Sequence, residues 1–171
     1  MALSKKVHEA LNEQIAREFQ AHFIYRAIAM DLHNKGYEGF AGWMEQHSKE
    51  EYGHAERIIH FLLENHARVV LPAVPKPQET WPSVKDAVAA ALQHEKKLTG
   101  DIHALHKLAD EEGQLATVSM LDWFVTEQVE EEYVVGRLLK RIELAGDSPI
   151  GLVVLDGELS RGAAPPEAAA T

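Results

Sequence analysis

Hydrophobic residues recur at three- and four-residue steps through four long stretches of the chain, the spacing that places them on one face of an α-helix. The first stretch runs from about Ser4, a residue suited to begin a helix, to Leu32, and the second from about Glu38 to His66. A third begins at Ser83, and a fourth spans about Leu115 to Ala145. The pattern therefore predicts an all-α protein built on four long helices.

Short segments containing glycine separate the helices within each pair. Gly36 follows the first helix and Gly113 the third, and glycine readily takes the left-handed conformation that ends many helices. Connections this short join antiparallel neighbours, so the chain is expected to form two helical hairpins. Gly146 ends the fourth helix, and the apolar segment from Ile150 to Leu159 predicts a short fifth helix at the C-terminal side.

The connection between the hairpins is much longer. Four prolines in the stretch from Leu71 through Pro82 exclude a helix there. Roughly 15 extended residues reach about 50 Å, which exceeds the length of about 42 Å of a 28-residue helix. One long crossover can therefore run the full length of a four-helix bundle, which is a known topology.

Metal-binding side chains interrupt the apolar faces in two matching sets. The first set is Glu18, Glu51 and His54, and the second is Glu95, Gln128 and Glu131. In each set the second and third members follow the first by 33 and 36 residues. The first members each precede the glycine of their hairpin turn by 18 residues, and the second members each follow it by 15. Folding of the hairpins therefore brings both sets to the same depth in the bundle.

Carboxylates inside a helical bundle are costly unless a positive charge compensates them. Residues three apart share a helical face, so Glu51 and His54 can bind the same ion, as can Gln128 and Glu131. Carboxylate and imidazole ligands suit iron, manganese or zinc, and shared carboxylates can hold two ions roughly 3.5–4 Å apart. The sequence therefore predicts a dinuclear metal centre within one chain.

Composition supports a single globular domain over residues 1–161, followed by an Ala/Pro-rich tail, residues 162–171, that is expected to be disordered. Of the 171 residues, 46% are hydrophobic and 26% charged, and no apolar run approaches membrane-spanning length. The N-terminus lacks the apolar core of a signal peptide, so the expected location is the cytoplasm, without a membrane partner.

Two further features exclude some kinds of site and partner. The chain has no cysteine, which excludes disulfides, thiolate zinc sites and cysteine-ligated iron–sulfur centres. The net charge of −10 argues against a nucleic-acid partner and suits a protein that attracts cations.

Several stretches resemble the bacterial non-heme ferritins, members of the ferritin-like di-iron family. The matching segments are Asn12-Glu13-Gln14 through Tyr25, Glu50-Glu51-Tyr52-Gly53-His54, His94-Glu95, and residues 126–131. The resemblance covers about Leu3 to Leu159. It implies a ferritin-like four-helix bundle and an iron-storage protein with ferroxidase activity. In such a protein Fe(II) is oxidised by dioxygen or peroxide at a di-iron centre and stored as an Fe(III) mineral inside a homo-oligomeric shell of 24 subunits.

The resemblance also assigns roles to individual positions. Glu18 and His54 are expected to bind the first iron, and Glu95 and Glu131 the second, with Glu51 as the bridge and Gln128 beside the site. Tyr25 matches a tyrosine next to the centre that supplies an electron or a hydrogen bond, and the alternative is a core aromatic whose hydroxyl has found a partner. A third iron site is implied at Glu50, Glu127 and Glu130, and the alternative there is a solvated acidic face.

Departures from the bacterioferritins bear on heme. Those relatives bind heme through a methionine where this chain has Tyr52, and they carry Glu-x-x-His where this chain has Gln128-x-x-Glu131. No heme is therefore expected. His47 lies near the inward face and is expected to be a buried neutral histidine with one hydrogen bond, and Trp43 has no assigned role.

Three other functions stay open at this point: a soluble di-metal redox enzyme of the catalase or peroxidase type, a heme-free bacterioferritin-like protein, and a purely structural bundle. The small DNA-protecting relatives of ferritin place their ligands between subunits and often carry basic tails, and neither feature is visible in this sequence.

Overall fold

A computed structural model describes residues 3–146 and 148–162 of the chain. Their regular structure consists of five α-helices: α1 (Lys5–Asn34), α2 (Glu38–Glu64), α3 (Val84–Glu111), α4 (Leu115–Ala145) and α5 (Pro149–Ser160). The predicted all-α bundle with a short fifth helix is confirmed. Among the described residues, none of the helices is both long and apolar enough to cross a bilayer. Except for Gly162, the tail predicted to be disordered lies outside these residues.

The helix ends follow from local side-chain chemistry. Ser4 accepts a hydrogen bond from the Val7 N–H at 3.3 Å, and Ser83 accepts one from the Asp86 N–H at 3.1 Å, so both serines cap the helices as predicted. The predicted end of α2 at His66 is two residues too long. His66 has a positive φ of 55°, and the chain turns there while the Ala67 N–H bonds back to the Leu62 carbonyl at 2.9 Å.

Two apolar clusters fill the ends of the bundle. One contains the C-terminal part of α1 with the start of α2, the start of α3 and the end of α4; its residues include Leu32, Phe40, Val88 and Leu138. The other contains the opposite ends of the same helices; its residues include Leu11, Ile58, Ile102 and Leu121. The two sets of metal-binding side chains occupy the layer between these clusters, so packing on both sides fixes the backbones that carry them.

The crossover is fastened to α1 near both ends of that helix. At the near end, the side chain of Asn12 accepts a hydrogen bond from the Val70 N–H at 2.7 Å. At the far end, the buried carboxylate of Asp31 accepts from the Trp81 N–H at 3.0 Å and from Lys35 Nζ at 2.5 Å. The connection therefore runs along the bundle, as the proline-rich sequence and its length predict.

α5 packs against the start of α2. The side chain of Asp156 accepts a hydrogen bond from the Phe40 N–H at 2.9 Å, which satisfies one of the N–H groups left free at a helix N-terminus. Gly39 allows this approach, because a Cβ at that position would lie 1.9 Å from the backbone oxygen of Asp156.

We expect Gly39→Ala to destabilise the protein by at least about 1–3 kcal/mol, because the clash is with backbone that cannot move aside without displacing α5. Gly42→Ala is the matched control: it lies on the same helix, and a Cβ there meets nothing within 4 Å. It should be neutral or stabilising by up to about 1 kcal/mol. Thermal unfolding at a fixed protein concentration measures both, and equal midpoints for the two variants would contradict the packing described.

Candidate metal centre

The structure brings the six predicted side chains into one buried layer. Each helix of the four-helix bundle supplies at least one of them, and none of the six is more than 5% exposed: Glu18, Glu51, His54, Glu95, Gln128 and Glu131. They point inward because each lies on the same helical face as the apolar residues of its helix, at a depth between the two end clusters.

Glu18, Glu51 and His54 form the first half of the layer. Each offers one ligand atom, and these atoms all lie within 4.8 Å of one another. His54 Nδ1 is 3.2 Å from Glu51 Oε2 and 3.9 Å from Glu18 Oε2. Two buried oxygens, Glu18 Oε2 and Glu51 Oε1, have no hydrogen-bond partner within the described part of the chain. Burial of an unpaired carboxylate is unfavourable, so these oxygens are expected to bind a proton or a cation.

Glu95 and Glu131 belong to the second half, and neighbouring donors hold Glu95. Tyr25 donates its hydroxyl proton to Glu95 Oε1 at 2.7 Å, and Gln128 donates from Nε2 to Glu95 Oε2 at 3.3 Å. Gln128 also reaches the backbone oxygen of Glu95 at 3.4 Å. In this structure Gln128 is therefore a hydrogen-bond donor to Glu95, and Tyr25 is a core aromatic whose hydroxyl is engaged at the site.

Burial and mutual repulsion change the proton affinity of these carboxyl groups. Desolvation, followed by the charge of Glu51, raises the pKa of Glu18 well above its usual value. Desolvation and the charges of Glu95 and Glu131 do the same to the pKa of Glu51. Desolvation and the charge of Glu131 raise the pKa of Glu95 to about 7. Without a cation, the layer therefore retains protons that exposed glutamates would lose.

His47 contributes to the site in a way that the sequence did not reveal. It is buried and makes the one hydrogen bond expected of it, between Nδ1 and Glu131 Oε2 at 3.1 Å, and the same Nδ1 lies 3.3 Å from Glu50 Oε2. Burial lowers the pKa of His47, but the hydrogen bond to Glu131 and the nearby carboxylates outweigh it, and the net change is upward. The ring stacks on Tyr25 at 5.5 Å between centroids and contacts Trp43 at 3.8 Å.

A signal for His47 was present in the sequence. The residue precedes Glu51 by four positions and therefore shares its helical face. The sequence does not predict that the same ring also contacts Glu131 on another helix. A second supporting residue, Gln14, was also missed as part of the site: it is fully buried and donates from Nε2 to Glu18 Oε1 at 2.7 Å.

The three residues of the expected third iron site are placed differently from one another. Glu50 groups with His47 and Glu131, and Glu127 groups with His54 and Glu131, in each case with ligand atoms within 4.8 Å of one another. Glu130 is exposed and belongs to neither of these groups. Desolvation raises the pKa of Glu127, partly offset by His54.

Comparison with known families identifies the class of protein that carries this bundle and layer. The family model described as the ferritin-like domain matches residues 8–145. The chain belongs to the ferritin family, which confirms the resemblance drawn from its motifs.

Individual relatives agree with this assignment. The bacterial non-heme ferritin of Staphylococcus saprophyticus is 32% identical over 158 residues, which are 92% of this chain and 95% of the relative. The one from Staphylococcus aureus is 32% identical over 157 residues, with the same coverage of both chains.

Solved structures give the same result for the fold. The crystal structure of an open pore ferritin from the hyperthermophilic archaeon Archaeoglobus fulgidus superimposes with a TM-score of 0.91 at 36% identity, covering 93% of this chain and 98% of that one. A structure described as a humanized archaeal ferritin gives a TM-score of 0.91 at 35% identity, with 93% and 96% covered.

The raised carboxyl pKa values predict how the metal-free protein responds to pH. A group with a raised pKa holds its proton more tightly in the folded state, so its contribution to stability is lost as pH rises through that pKa. The free energy of unfolding should fall by on the order of a few kcal/mol from about pH 4.5 to above pH 7, with Glu95, whose pKa is raised to about 7, among the groups that contribute. Urea unfolding of metal-free protein across this range measures the slope.

Glu95→Gln is the matched variant, since it keeps the shape of the side chain but cannot titrate. Its stability should depend less steeply on pH than that of the wild type. Excess divalent metal should reverse the trend, because metal ligands bind best when deprotonated. A flat profile for the metal-free wild type would show that the layer does not hold these protons.

Proposed function

We propose that this chain is an iron-storage ferritin, which oxidises Fe(II) at a di-iron centre within each subunit and keeps the product as an Fe(III) mineral inside a cage of 24 subunits. One observation carries the proposal: a buried layer of four glutamates in which Glu18 Oε2 and Glu51 Oε1 have no partner among the described residues. Divalent iron supplies the positive charge that this layer lacks, and carboxylate oxygens with an imidazole are ligands that iron accepts.

The proposed roles of the ligands are those that the family resemblance implies. Glu18 and His54 bind the first iron, and Glu95 and Glu131 bind the second. Glu51 is proposed as the bridge, and support comes from its charge raising the pKa of Glu18 while the charges of Glu95 and Glu131 raise its own pKa. Hard carboxylate oxygens stabilise Fe(III) more than Fe(II), which favours oxidation at the site.

The electrons balance with either oxidant. Two Fe(II) ions release one electron each, and dioxygen takes up these two electrons with two protons to give hydrogen peroxide. Hydrogen peroxide in turn takes up two electrons and two protons to give two waters. Binding of iron to the layer itself releases the protons held by Glu18, Glu51 and Glu95, because a carboxylate must ionise to ligate a metal.

Glu50, Glu127 and Glu130 are proposed as a third iron position beside the pair. Support comes from Glu50 and Glu127, each of which lies with Glu131 in a group able to hold an ion. Both groups share Glu131, a proposed ligand of the second iron, so the third position would lie next to the pair. Glu130, which is exposed, extends the acidic path outward.

The exposed apolar residues support assembly into a larger particle. α5 presents Ile150, Val153 and Val154 at 77%, 64% and 54% exposure, and Leu144 at the end of α4 is 78% exposed. Contiguous apolar surface of this kind is a liability for a single subunit and is explained by burial against further copies. Assembly into a cage is therefore part of the proposal, together with the cytoplasmic location expected from the sequence.

We expect Glu51→Gln and His54→Ala to slow aerobic oxidation of Fe(II) by more than about 100-fold, the upper end of what loss of an outer-shell metal partner costs. Glu64→Gln, at an exposed position near the end of α2, is the control and should oxidise iron at the wild-type rate. Ultraviolet absorbance of the Fe(III) product measures the rate. If Glu51→Gln oxidised Fe(II) at the wild-type rate, the proposed centre would be wrong and the chain would be a purely structural bundle.

Assembly can be tested separately from oxidation. Val153→Glu should shift the particle from about 24 times the 19.1-kDa chain mass to smaller species, while each subunit still oxidises iron because the site lies within one chain. Val153→Ala, which stays apolar, should remain assembled. Size-exclusion chromatography with light scattering after iron loading reads protein and iron together. A small wild-type oligomer that consumes peroxide without retaining iron would indicate a di-metal redox enzyme instead.

A further inference from the structure

We propose that Gln14, oriented by Arg17, is a positioning residue that fixes the carboxylate of Glu18 so that Oε2, and not Oε1, faces the first metal position. The inference rests on the proposed di-iron function and adds a residue to it. Neither Gln14 nor Arg17 is proposed to bind the metal directly. Both act through Glu18.

Helix geometry places Gln14 next to two residues of α1, of which one is half-exposed and the other is buried. Arg17 and Glu18 are consecutive, so one points toward solvent and the other inward. Gln14 precedes them by three and four positions, and both of these spacings bring side chains together on a helix. The amide therefore links the half-exposed guanidinium to the buried carboxylate.

Arg17 decides which way the amide of Gln14 points. An amide has one acceptor and one donor end of nearly equal shape, so shape alone does not orient it. Arg17 Nη1 donates to Gln14 Oε1 at 3.3 Å, and a guanidinium can only donate. The oxygen must therefore face Arg17, which leaves Nε2 to donate to Glu18 Oε1 at 2.7 Å.

The position of Arg17 is itself set by two carboxylates. Its Nε lies 3.4 Å from Asp101 Oδ2 on α3, and its Nη2 lies 3.4 Å from Glu13 Oε2 on α1. The contact with Asp101 ties the orienting group on α1 to the helix that carries Glu95. Relative movement of α1 and α3 would therefore disturb Glu18 through this chain of contacts.

The two oxygens of Glu18 are left in different situations. Oε1 is occupied by the short hydrogen bond from Gln14, whereas Oε2 is buried, lacks a partner in the described chain and lies 3.9 Å from His54 Nδ1. A metal ion placed beside His54 therefore meets one free oxygen of Glu18. Without Gln14, either oxygen could turn toward the ion, and the carboxylate would pay more conformational entropy on binding.

Anaerobic titration with Co(II), whose visible absorbance reports its ligands, tests this role. Glu18→Ala and Glu131→Ala assign the two binding steps of the wild type to the first and second positions. Gln14→Met, which keeps the length of the side chain but removes its donor, should weaken first-site binding about 10- to 100-fold and leave the second site unchanged. Gln93→Met makes the same chemical change at an exposed glutamine and should change neither step.

Arg17→Met supplies a second and gentler variant, since Arg17 is half-exposed and its loss leaves the core intact. It should weaken the first site less than Gln14→Met does, and the double variant should be no weaker than Gln14→Met alone, because the arginine acts through the amide. A changed Co(II) spectrum at the first site, with an unchanged unfolding midpoint of the metal-free protein, separates positioning from general stability.

The outcomes distinguish this inference from the function on which it rests. If the wild type binds Co(II) in two steps and Gln14→Met and Arg17→Met both bind as tightly, the positioning role is wrong and the metal centre stands. Equal losses at both sites would also overturn it, since they would indicate a general change of structure. If the wild type binds no Co(II), the metal centre and the role of Gln14 are both wrong.

Discussion

The burial of negative charge in the middle of the bundle is the constraint on which the rest of the structure depends. Four glutamates lie in the layer, and the buried residues of the described chain include no lysine or arginine. The imidazoles in the layer are those of His47 and His54, which already contact Glu131 and Glu51. Protons or metal ions must therefore balance the remaining charge, and burial raises the carboxyl pKa values in the direction that retains protons when metal is absent.

Such a layer is tolerated because apolar packing on both sides holds the four helices around it. The two end clusters fix the backbone, and outer partners then fix the carboxylates one by one. Gln14 holds Glu18, Tyr25 and Gln128 hold Glu95, and His47 holds Glu131. Carboxylates held in this way would lose little conformational entropy on binding an ion. A cation would also relieve the unfavourable burial of their charge, and both effects would strengthen its binding.

In the proposed cage, assembly depends on α5 and the outer surface of the bundle. α5 docks on the start of α2, where Gly39 leaves room for the backbone of Asp156, and it turns Val153 and Val154 to solvent. Oxidation needs only the interior of one subunit, whereas storage needs an enclosed volume that a subunit cannot provide. Separate parts of the chain thus carry the two halves of the proposed function, which is why substitutions can affect one without the other.

The sequence by itself determined the helices, the crossover and the six inward side chains, because periodicity and the matching intervals of 33 and 36 residues depend only on positions along the chain. The end of α2 was missed by two residues, since His66 gives no sign that it adopts a positive φ. Only the tertiary structure decided that His47 reaches Glu131, that Gln14 faces Glu18 with its amide nitrogen, and that Gly39 must lack a side chain. Each of these depends on how closely separate helices or side chains approach in space, and a linear pattern does not carry that distance.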